Sequence, residues 1–107
     1  MEATRLAYAA ACAATVQWGR DLEIAVERTR IAEGLLDAAQ SDHRSSRGTI
    51  ADWQAEVNAA TADQRAIEDR EEALYAAEDA ANEAMLAAGR VAFGAYLATF
   101  PGYAVAA

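Results

Sequence analysis

The chain contains no lysine. All nine basic residues are arginine, set against 17 acidic ones for a formal net charge of −8. That balance excludes non-specific binding to DNA, RNA or an anionic membrane, because each of those ligands needs a basic face. There is one cysteine, so an intrachain disulfide is excluded, and Cys12 in its alanine-rich run reads as a small core residue. The single histidine, His43, removes the paired Glu-x-x-His ligands that a di-iron bundle needs, and no Asp-x-Asp-x-Asp-Gly loop for calcium occurs. No metal or cofactor is therefore expected. No run approaches the twenty or so apolar residues of a membrane-spanning helix. Large apolar side chains are also scarce. The hydrophobic fraction is 54%, but much of it is alanine, which buries little area.

What is present is helix-forming sequence. The only proline is Pro101, and alanine, the best helix former, dominates residues 2–40. Trp18, Leu22, Ala25, Thr29, Ala32 and Leu36 recur at spacings of three and four. Ile24, Arg28, Ile31 and Leu35 run beside them and predict a wide buried face. Gly19 and Gly34 mark a bend or a close approach of backbones. The stretch 41–48, from Ser41 to Gly48, has no apolar residue and reads as a polar turn. Thr49 is the expected N-cap of the next helix, with Asp52 completing an imperfect capping box. Ile50, Trp53, Val57, Ala60, Gln64, Ile67, Glu71 and Leu74 then resume a coiled-coil-like alternation. Gly89 and Gly94 weaken its later part, and Pro101-Gly102 ends it. The expectation is a single all-α domain over 1–107: a long antiparallel helical hairpin that oligomerisation can complete into a bundle. Helix 1 covers about 2–40, helix 2 about 50–97, and an aromatic tail 98–107.

Three segments carry candidate function. Between Asp63 and Glu83 eight carboxylates face only Arg65 and Arg70. Glu68, Asp69, Glu71 and Glu72 at its centre are candidate contacts for a basic partner, against the plainer reading of a solvated face. In the turn, His43, Arg44 and Arg47 sit beside a helix N-terminus, where a phosphate can bind, although no glycine-rich loop accompanies them. Phe93, Tyr96, Phe100 and Tyr103 concentrate aromatics near the end of the chain and are candidate interface anchors, since aromatics dominate binding hot spots. Ser45 and Ser46 lack a histidine–acid partnership, and no catalytic residue is assigned.

Tyr75-Ala76-Ala77-Glu78-Asp79 resembles the Tyr-x-x-x-Asp/Glu export signal of secreted WXG-type helical hairpins, which are of this length and dimerise. That family places Trp-x-Gly in the turn, whereas here Trp18-Gly19 is adjacent and lies inside helix 1; the chain is not assigned to it. The segment after Arg5, Leu6 to Ala14, is similar to a short signal-peptide core or a poor lipobox ending at Cys12. Its apolar character is weak and Glu2 spoils the charged end, so a cytoplasmic or virion location is expected. The function expected is that of a non-enzymatic building block of a homo-oligomer or larger assembly, such as a phage component. The alternative is a small acidic inhibitor occupying a basic groove of a partner protein.

Overall fold

The computed structural model describes residues 1–100 and 102. It is an all-α helical hairpin. Helix α1 spans Glu2–Ser41, α2 spans Arg47–Glu68 and α3 spans Glu71–Leu97. Gly19 and Gly34 lie inside α1 without interrupting it. A Cβ added at either would meet nothing within 4 Å, so neither glycine is there to admit a second backbone.

The chain forms two compact units by contact. In the first, Met1–Thr15 groups with the described residues from Ala73 onward. Thr4, Tyr8, Ala11 and Thr15 are half-buried on α1, as are Leu74, Glu78, Ala81, Met85 and Ala88 on α3. Both sets step by three and four, the spacing that keeps one stripe facing a partner helix.

The second unit, Val16–Glu72, is the hairpin around the turn. Trp18, Leu22, Ala25, Thr29, Ala32, Leu36 and Ala39 form the α1 stripe; Ile50, Trp53, Val57, Ala60, Gln64 and Ile67 form that of α2, all buried or half-buried. Cross-helix pairs fix the sense. Their sequence separation falls from 49 residues at Trp18–Ile67 to 28 at Arg28–Glu56 as the turn is approached, which only an antiparallel pair does. Thr29, a polar residue in the seam, donates its hydroxyl to the Ala25 carbonyl at 3.0 Å and so enters the core already satisfied.

The expected wide buried face is not found. Ile24 is 70% exposed, Ile31 and Leu35 are exposed, and so is Arg28. One facing helix covers one narrow stripe, and alanine seams leave the neighbouring row outside. Among the described residues the buried apolar ones are Ala25, Ala32, Ala39 and Ala60, and no large side chain is fully buried.

The turn is tighter than expected, and the second helix starts earlier. Ser46, not Thr49, is the N-cap: its Oγ accepts the Thr49 N–H at 3.1 Å and lies 3.0 Å from Thr49 Oγ1. Thr49 thus occupies the third helical position of a Ser-x-x-Thr box, the place Glu or Gln usually takes. Asp42 organises the loop before it by accepting the Arg44 N–H at 2.9 Å, an Asx turn.

One helix was expected over 50–97; the structure interrupts it at Asp69–Arg70. The cause is at Ile67. The Trp18 indole N–H donates to the Ile67 carbonyl at 2.6 Å, and the Arg70 N–H reaches the same carbonyl over three residues at 3.1 Å. A side chain inserted into the backbone ladder is one of the few physical causes of a helix break. Glu71, expected in the seam, is consequently exposed and begins α3.

Candidate functional site: an acid-rimmed apolar groove

Because Ile24, Ile31 and Leu35 are left outside the seam, they form one wall of an open groove of about 710 Å³ along the second unit. Trp53 contributes the facing apolar surface from α2. The rim is acidic: Glu23 and Glu27 on α1, Asp52 and Glu56 on α2. Arg28 crosses it, donating to Glu56 at 2.9 Å and to Asp63 at 2.5 Å. These two carboxylates hold its guanidinium above its ordinary pKa. Glu27 is likewise bonded to Arg30, which holds its carboxyl below the ordinary value. Glu23 and Asp52 have no ion-pair partner among the described residues. A smaller hollow continues past Ile24 and Arg28 to Ile67 and Arg70. The groove is thus apolar within, anionic at its edge, and spanned by an arginine whose charge is already matched.

Glu68, Asp69, Glu71 and Glu72 are placed together at the α2–α3 junction and are all exposed. Glu68 accepts from Gln64 at 2.7 Å. Glu71 and Glu72 lie in the first turn of α3, where the helix dipole favours negative charge. In the turn, Arg44 lies against Asp42 at 3.1 Å and Ser46 takes the Thr49 N–H. Asp42 is held below its ordinary pKa by the Arg44 side chain first and the Arg44 N–H second. Much of the donor capacity that would hold a phosphate is therefore used internally.

Of the aromatic candidates, Phe93 is 61% exposed, and Tyr96 and Phe100 are exposed too. Tyr96 and Phe100 meet edge to face with ring centroids 4.8 Å apart. Tyr103 lies outside the described residues. The surroundings of these rings differ from the groove in one decisive respect: residues 84–100 carry a single charged side chain, Arg90. On α1 of the same unit, Leu6 to Thr15 carries no charge. Tyr8 there has its pKa raised, first by its interaction with Cys12, then by desolvation and the Glu78 and Asp79 carboxylates.

Helical periodicity does not reveal the groove: the spacing of Ile24, Ile31 and Leu35 is that of a buried face, and only the placement of the facing helix leaves them outside the seam. Among the described residues no cluster of three or more His, Cys, Asp or Glu could hold a metal ion, and no helix is long and apolar enough to cross a membrane. No protein-family model, curated protein or solved structure matches this chain.

Proposed function

We propose that this chain is a non-enzymatic helical building block that acts by protein–protein association, in the first place with copies of itself. The observation that carries the reading is the inversion of its core: among the described residues the buried apolar ones are alanines, while Ile24, Ile31, Leu35, Phe93, Tyr96 and Phe100 are exposed.

Charge distinguishes the surfaces. The Phe93–Phe100 face of α3 meets a copy of itself without an array of like charges, since only Arg90 is charged there. Light scattering after size exclusion tests the reading: a dimer or larger species is expected at micromolar concentration. A monomer that still melts cooperatively at nanomolar concentration would overturn it. A second reading, a small acidic protein that binds a basic partner, is supported by the carboxylates around the groove.

A further inference from the structure

We infer that the groove between α1 and α2 is a docking site for a basic amphipathic helix of another protein. The inference rests on the second reading above and deepens it by naming the class of basic partner; the self-association reading concerns a different surface.

Shape comes first. The groove runs beside the seam of an antiparallel helix pair, with apolar positions at Ile24, Ile31 and Leu35 on one wall and Trp53 on the other. Ile24 to Leu35 covers about three helical turns, roughly 16 Å. A third helix fits such a furrow by laying residues spaced i, i+3/i+4, i+7 into it. An extended strand would bury backbone N–H and C=O groups with no edge to pair them.

Charge then selects the occupant. Glu23 and Asp52 stand on opposite walls without an ion-pair partner among the described residues, and Arg28, the cation inside, is already engaged by Glu56 and Asp63. A second copy seated here would bring its own rim against this one, and apposed carboxylates disfavour the complex. Anionic lipid and nucleic acid meet the same repulsion. A helix with arginine or lysine flanking its apolar stripe gains at both edges, and it gains more at low salt.

The test uses the full chain and two synthetic helical peptides of about fifteen residues. Both share one leucine stripe, flanked by lysine in the first and by glutamate in the second. Fluorescence anisotropy of the labelled peptides should show the lysine peptide binding at least tenfold tighter, with an affinity that falls as salt rises. Ile31→Asp should abolish binding with helicity unchanged by circular dichroism; Ile24→Lys, at a more exposed position, is the second variant should Ile31→Asp unfold. Glu23→Lys combined with Asp52→Lys should remove or invert the preference between peptides. Equal binding of both peptides, or none, overturns the inference. So does an oligomer that dissociates in Ile31→Asp, because the occupant would then be a second copy; that outcome leaves the association reading intact, whereas a monomer binding the lysine peptide overturns only that reading.

Discussion

At Gly34 the helix carries a residue that it does not need. The position is exposed in mid-helix, and an added Cβ meets nothing within 4 Å. Glycine there loses the most backbone entropy on folding, so Gly34→Ala should raise stability by about 0.5–1 kcal/mol, read from the chemical denaturation midpoint. A loss of stability instead would mean that something packs against this face. Asp42 offers a test whose sign depends on pH. Its folded pKa lies below its ordinary value, through Arg44. Its contribution is therefore present above the ordinary value and lost as pH falls through the folded one. Asp42→Asn should lower the melting temperature at pH 7, and the gap from wild type should close in strong acid. Comparing the two chains at each pH removes the background effect of protonating the other carboxylates, whose mutual repulsion weakens in acid.

At the scale of the helices, Trp18 decides where the second arm breaks. Indole is a donor only, and a half-buried one needs an acceptor; the Ile67 carbonyl supplies it. Trp18→Phe keeps an aromatic ring, smaller than indole, and removes the donor. It should cost about 0.5–1.5 kcal/mol and alter hydrogen-exchange protection at Arg70 and Glu71; unchanged protection there would detach the break from the indole. The interruption was not legible in the sequence because Asp69 and Arg70 are ordinary helix residues and the cause, Trp18, sits 49 positions before the Ile67 carbonyl it engages. Much of the rest was legible. The Trp18–Leu36 and Ile50–Ile67 stripes are the seam, and α3 ends at Leu97 ahead of Pro101-Gly102, where Gly102 takes a φ of 89° that glycine accepts freely. What periodicity could not decide was how much of a wide apolar face a single facing helix covers. Ile24, Ile31 and Leu35 lie just one residue from the seam in sequence, and that offset separates core from groove.

For the whole molecule, the question is which exposed face makes the assembly. The two apolar surfaces differ in charge rather than in hydrophobic character: the groove is ringed by carboxylates, and the Phe93–Phe100 face is nearly neutral. Self-association puts identical surfaces together in the commonest, two-fold arrangement, so a neutral face is favoured and an anionic one is not. Phe93 and Tyr96 are exposed, hence replacing both by serine removes little from the fold of the single chain. Phe93→Ser with Tyr96→Ser should leave helicity near that of wild type at high concentration while the mass by light scattering falls to that of the monomer. Because a self-associating fold gains stability from its partner by mass action, the wild-type melting temperature should also rise with concentration, and that of the double variant should not. Ile24→Lys is the control from the other face, expected to leave the mass unchanged. An oligomer that survives the serine pair would move the self-contact off α3 altogether.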